Sequence, residues 1–205
     1  MPGDYSLRSQ LPHGLSDLFA QEAADKTALE DILQETFLRW GYQRIILPTF
    51  EYDDTLSTGA SAELRSEMYR FFDREGHALA LRPDMTVPTA RVVGSRLYDE
   101  TLPQRFFYIG NVFRHEEPQA GRRREFTQAG IELIGAGTAE ADAEVVAVAI
   151  AALRAMGIRG FQINLGQLAY LQAMLSDARL VNGQLARLEQ AIDHRNDVEL
   201  QRVLA

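Results

Sequence analysis

Apolar residues recur at Leu29, Ile32, Leu33, Phe37 and Trp40, with Glu30, Asp31, Gln34 and Arg39 between them. Spacing of three and four predicts an amphipathic helix, and Gly41 supplies a C-terminal stop. Residues 44–47, Arg-Ile-Ile-Leu, read as a short buried strand closed by Pro48, which has no N–H for a ladder. Residues 53–67 are small and polar and predict a loop with room for one helical turn. Residues 68–73 and 78–81 predict a hairpin through Arg74-Glu75-Gly76-His77. Arg82-Pro83-Asp84-Met85-Thr86 follows, and Pro88 suits the first turn of a helix running to about Leu97. Two long strands are predicted over residues 104–116 and 123–135. An Ala- and Val-rich helix then covers residues 139–156. Residues 161–165 alternate as a strand, and the pattern from Gln167 onward is helical, with a break at Asn182-Gly183. Irregular alternation and a long hairpin predict an α+β fold with a mostly antiparallel sheet flanked by helices.

The long hairpin carries the most chemistry. Side chains alternate faces along a strand. With the turn near Pro118 and Gln119, even positions pair with even ones. The odd face is apolar: Phe107, Ile109, Phe113, Ala129, Ile131 and Leu133. The even face collects Tyr108, Gly110, Arg114, Arg124, Phe126, Gln128, Gly130 and Glu132. One reading of it is a solvated outer face. The other is a ligand cradle, because mid-strand glycine weakens a sheet unless something approaches the backbone closely. Such a cradle suits a small molecule with an amine and a carboxylate or phosphate. Arg114 forks onto an anion, Glu132 holds an ammonium or imidazolium, and Gln128 donates and accepts. Arg122, Arg123 and Arg124 form either a solvated patch or, beside a pocket, a triphosphate clamp. Glu132 has a purely structural alternative as an ion-pair partner of Arg114 or Arg124. Asp84 has one as a helix N-cap.

Composition narrows the class. The chain has 205 residues, 46% hydrophobic and 24% charged, as in an ordinary globular protein. A chain of this size buries about 70% of its unfolded surface without staples. There is no cysteine, so disulfides, thiolate nucleophiles and Cys-ligated zinc are excluded. Net charge is −8, from 21 basic and 29 acidic residues, which disfavours a nucleic-acid partner. No apolar run reaches the roughly 20 residues of a membrane span, and the N-terminus lacks signal-peptide logic. The expected compartment is the cytoplasm. His13, His77, His115 and His194 are too dispersed for a metal site, and no Gly-rich phosphate loop or nucleophile elbow occurs.

Phe113-Arg114-His115-Glu116, the loop Pro118-Gln119-Ala120-Gly121-Arg122 and Arg124-Glu125-Phe126-x-Gln128 resemble motif 2 of class II aminoacyl-tRNA synthetases in its histidyl form. The helix ending in Trp40-Gly41-Tyr42, with the strand closed by Pro48, resembles motif 1. Leu81-Arg82-Pro83-Asp84-Met85-Thr86 resembles the loop that holds the amino group of histidine. The resemblance runs from about Leu11 to Gly166. Two branches fit: histidyl-tRNA synthetases, and their non-catalytic paralogues, the regulatory subunits of ATP phosphoribosyltransferase. Three departures favour the paralogues. Asp84-Met85 stands where synthetases usually carry Glu-Gly, and Thr127 where they tend to carry His or Tyr. Gly130-Ile131-Glu132-Leu133-Ile134-Gly135-Ala136 also reads as the paralogue form.

The resemblance implies a class II synthetase-like core domain over residues 1–205, continuing further in a complete protein. It implies a chain without chemistry of its own or a cofactor, which assembles with the catalytic subunit of ATP phosphoribosyltransferase. That enzyme joins ATP to phosphoribosyl pyrophosphate in the first step of histidine biosynthesis, under feedback inhibition by histidine. Histidine would meet Asp84 and Thr86 with its ammonium, Arg114 with its carboxylate and Glu132 with its imidazole N–H, beside Gln128. Glu116, Arg122 and Phe126 are the candidates for nucleotide binding. In the synthetase alternative they would hold ATP together with Arg114, with Phe126 under the adenine. A third alternative is a regulatory or RNA-sensing module of another system. The motif 1-like helix and strand, which packing within one chain also explains, imply a homodimer.

Overall fold

The computed structural model describes residues 10–115, 123–167, 173, 184–193 and 196–204. In chain order its elements begin with α1 (Ala20–Arg39), β1 (Gln43–Arg44), β2 (Phe50–Tyr52), α2 (Asp53–Thr58) and α3 (Ala62–Ser66). They continue with β3 (Arg70–Phe72), β4 (Ala78–Leu81), α4 (Thr86–Arg96), β5 (Gln104–Phe113) and β6 (Glu125–Ile134). Helices α5 (Ala139–Ala155), α6 (Gln184–Asp193) and α7 (Asp197–Leu204) complete the series. The chain divides into two units between Arg159 and Gly160.

In the first unit β5 and β6 pair antiparallel along their whole length, with Tyr108 opposite Gly130 and Gly110 opposite Gln128. Even positions therefore face even positions, as the turn placement predicts. The odd face meets α1 and α5. Phe37, Tyr42, Phe107, Val148 and Ala152 form its buried cluster, with Ile109, Ala129, Ile131 and Leu133 packed around them. Phe37 and Phe107 sit 5.5 Å apart, ring to ring. The α1 stripe is only partly spent on this core: Leu29 and Trp40 stay more than a third exposed. Helix α5 starts where Thr138 accepts from the Ala141 N–H at 3.3 Å, with Glu140 and Asp142 favourably placed in the first turn.

β1 joins β5 in parallel, Arg44 opposite Phe107. The strand expected over residues 44–47 is shorter than its apolar run. Only Gln43 and Arg44 belong to the ladder, and although Leu47 is buried, Ile46 is 82% exposed. A second sheet has β4 between β2 and β3, all antiparallel. The fold is α+β, with antiparallel pairing everywhere except β1. Residues 53–67 are not a loop but α2 and α3. Their polar residues are helix-starting residues: Asp53 and Asp54 lie in the first turn of α2, and Ser61 Oγ accepts from the Leu64 N–H at 3.2 Å. Leu56, fully buried, anchors the segment. Residues 161–167 form no regular structure and belong to neither sheet. In the second unit α6 and α7 bury Leu188, Ala191 and Val203, and Arg187 pairs with Glu199. The expected break at Asn182-Gly183 and the turn at Pro118-Gln119 lie outside the described residues.

A polar clamp joins α5 to the sheet. Arg105 donates from Nε and Nη2 to the two carboxylate oxygens of Glu144, both at 2.8 Å. The Tyr42 hydroxyl donates to Glu144 Oε1 at 2.9 Å. The Arg105 hydrogen bonds hold Glu144 down to about 2, and burial followed by the adjacent carboxylate pushes Tyr42 up to about 12. A depressed carboxyl stabilises the fold above its unfolded value near 4.5 and loses that contribution as the pH falls towards 2. Urea unfolding midpoints should therefore drop through that window, and Glu144→Gln should flatten the drop. Glu144→Ala should cost about 1–3 kcal/mol at neutral pH, because it strands the buried Tyr42 hydroxyl.

Candidate ligand-binding site

Residues 82–86 are fastened to the hairpin by hydrogen bonds at positions 82, 83 and 85. The Phe113 N–H donates to the Arg82 carbonyl at 3.0 Å. Arg114 Nε donates to the Pro83 carbonyl at 2.9 Å, and the Met85 N–H donates to Gln128 Oε1 at 3.0 Å. Beneath them lies Arg82, 7% exposed. Its Nε donates to the Asn111 carbonyl at 2.7 Å, and its Nη1 donates to the carbonyls of Leu47 at 2.7 Å and Pro48 at 3.1 Å. Burial lowers its pKa from the usual arginine value. This guanidinium ties the end of the motif 1-like strand to the hairpin.

The even face is neither a wetted exterior nor an open cradle along its whole length. Its middle is a second apolar cluster of Leu47, Met85, Tyr108 and Val112, with Phe126 packed against it. The two mid-strand glycines also have a different cause from the one expected. A Cβ at Gly110 would lie 2.9 Å from Arg82 Nη2, and one at Gly130 would lie 2.7 Å from the Tyr108 hydroxyl oxygen. The close approach is by the protein's own side chains.

Around this cluster the structure gathers the five residues expected at a histidine site. Asp84 Oδ1 accepts from the N–H groups of Thr86 at 3.0 Å and Val87 at 3.3 Å, so it caps α4. Tyr108 donates to Glu132 Oε1 at 3.2 Å. Among the described residues Glu132 has this phenol, not Arg114 or Arg124, as its partner. Burial, opposed in part by Thr86 and reinforced by the Glu132 and Asp84 carboxylates, pushes Tyr108 up to about 12. It therefore remains a hydrogen-bond donor at neutral pH. Asp84, Arg114, Gln128 and Glu132 are half-buried, and Thr86 is exposed. Of the nucleotide candidates, Phe126 lies under the Arg114 guanidinium at 5.3 Å, while Glu116 and Arg122 lie outside the described residues. The arginine run does not behave as one patch. Arg123 is exposed, whereas Arg124 is half-buried, and its N–H donates to the Gly14 carbonyl at 2.9 Å.

Two carboxylates, one guanidinium and one carboxamide thus converge on half-buried ground. Such a set has the chemical complement of a zwitterion that carries an additional N–H donor. Among the described residues no group of three His, Asp or Glu side chains is placed to hold a metal ion, and no helix is long and apolar enough to cross a membrane. Arg82 and Tyr108 were given no role from sequence. A tyrosine paired across from a glycine was the available signal for the second.

A motif 1-like helix and proline-closed strand, a long antiparallel hairpin and a polar loop fastened across it define a class II aminoacyl-tRNA synthetase-like fold. The chain belongs to the histidyl-tRNA synthetase family, whose model matches residues 14–205. It is 45% identical over 97% of its length to the ATP phosphoribosyltransferase regulatory subunit of Moorella thermoacetica, 51% of which is covered. The protein of the same name in Symbiobacterium thermophilum is 41% identical over 97% of this chain and 50% of its own length. Among solved structures, an ATP phosphoribosyltransferase regulatory subunit/histidyl-tRNA synthetase from Bacillus halodurans superimposes with a TM-score of 0.87 at 35% identity, over 96% of this chain and 51% of that one. A Nostoc histidyl-tRNA synthetase, at 23% identity and a TM-score of 0.79, shares the fold over 95% of this chain and 46% of its own. The chain spans about half the length of the curated relatives it matches.

Arg82→Met should destabilise the fold by at least about 3 kcal/mol, since it strands buried carbonyls. Gly110→Ala should cost about 1–3 kcal/mol by forcing a methyl group against a guanidinium already fixed at two nitrogens. Urea denaturation measures both.

Proposed function

We propose that this chain is the histidine-sensing part of an ATP phosphoribosyltransferase regulatory subunit, and that it does no chemistry itself. The observation that carries the reading is the convergence of Asp84, Thr86, Arg114, Gln128 and Glu132 on one face through the fastened 82–86 loop. The names of relatives 36–45% identical support the same assignment. In it, Asp84 uses the oxygen not engaged in capping α4, together with Thr86, for the ligand ammonium. Arg114 has its Nη groups for the carboxylate, and Glu132 has an oxygen for the imidazole N–H. Histidine then shifts the assembly towards an inhibited state by no more than its differential affinity for that state, typically about 1–3 kcal/mol. The catalytic subunit of ATP phosphoribosyltransferase is the partner in a cytoplasmic hetero-oligomer. Two regulatory chains associate through α1 and the strand after it, where Leu29, Trp40 and Ile46 stay exposed.

The family description itself favours one alternative, a histidyl-tRNA synthetase domain with ATP held by Arg114, Glu116, Arg122 and Phe126. That protein would exchange pyrophosphate into ATP when given histidine; the regulatory chain would not. Calorimetry of the chain with L-histidine should give saturable binding that Glu132→Ala abolishes while far-ultraviolet circular dichroism is unchanged. Retained affinity in that variant sinks the assigned pocket.

A further inference from the structure

Tyr108 lies between the two ends of the proposed site. It is 3% exposed, stands on β5 opposite Gly130, and has its ring laid where any larger residue at 130 would put its Cβ. From there the hydroxyl donates to Glu132 on β6, at 3.2 Å, while the ring packs in one buried cluster with Met85 of the 82–86 loop. Met85 and Glu132 belong to different stretches of the chain and share this side chain. Because the ring is held by Gly130 beneath it and by Leu47, Met85 and Val112 around it, the hydroxyl has little freedom to follow either neighbour.

We propose that Tyr108 is a positioning residue that holds the imidazole end of the site, at Glu132, at a fixed distance from the ammonium end on the 82–86 loop, and so sets the length of amino acid the site accepts. The inference rests on the histidine-sensing reading and deepens it. The phenol donates to one carboxylate oxygen. Glu132 is left one oriented oxygen for an N–H at a fixed distance from the ammonium. Losing the hydroxyl frees the carboxylate to rotate. Histidine then loses its advantage over an analogue with one more methylene between the ammonium and the ring.

Calorimetry with histidine and homohistidine on the full chain, its Tyr108→Phe and Glu132→Gln variants and the double variant tests this. Tyr108→Phe should weaken histidine by about tenfold, close to 1.4 kcal/mol, and narrow the histidine-to-homohistidine ratio. In the Glu132→Gln background the same change should weaken histidine by less than about threefold, the non-additivity expected of residues in one network. A phenol that only fills space would lower the melting temperature of Tyr108→Phe and leave both the ratio and the coupling unmoved. Such a result overturns the positioning role while leaving histidine sensing intact. A parent chain that takes up no histidine overturns both. Without any ligand, NMR of 13C-tyrosine-labelled protein should show the Tyr108 phenol ionising at lower pH in Glu132→Gln; an unchanged titration also counts against the link.

Discussion

The Arg82 guanidinium is the constraint on which the site depends. A buried charge is tolerated only where its N–H groups are satisfied, and here the acceptors are backbone carbonyls from two separate stretches, Leu47-Pro48 and Asn111. Those stretches are far apart in sequence. Holding one cation between them fixes the proline-closed strand against the hairpin, and the residues after Arg82 are fixed with it. The next main-chain positions then fall where Arg114 and Gln128 reach them. Geometry at the polar cluster is thus inherited from a charge whose hydrogen bonds go to main-chain carbonyls.

Much of this was legible in the residues. The hairpin register follows from the turn position and alternation alone, and Tyr108, Gly110 and Val112 meet Gly130, Gln128 and Phe126 as that parity requires. Composition misled where helices are made of polar residues. Asp53, Asp54 and Ser61 resemble loop formers until the place of the two aspartates in the first turn of α2, the bond from the Leu64 N–H to Ser61 and the burial of Leu56 are seen. Alternation misled at residues 161–165, because a strand needs a neighbour that a one-dimensional pattern does not supply. The glycines were read as room for a ligand, and the room is occupied from within. Only three-dimensional placement distinguishes an external visitor from Arg82 or Tyr108.

Alternation along the hairpin singles out Arg114, Gln128 and Glu132, while Asp84 and Thr86 were reached by motif. Spacing alone leaves Glu132 open between a ligand contact, a solvent-facing acid and half of an ion pair; the phenol beside it was visible only as one more aromatic on the same face. Asp84 illustrates how two readings coexist. Its capping bonds to Thr86 and Val87 use one oxygen, which leaves the other unengaged by them.

That capping has a thermodynamic corollary. A surface aspartate must surrender rotamer freedom when it captures a cation. The carboxylate at 84 surrendered it when α4 formed, and α4 is itself anchored by the two-pronged contact of Arg91 with Glu51 on β2. A cation arriving there meets a preorganised acceptor, so its association should carry a small ordering penalty and little adjustment of the main chain.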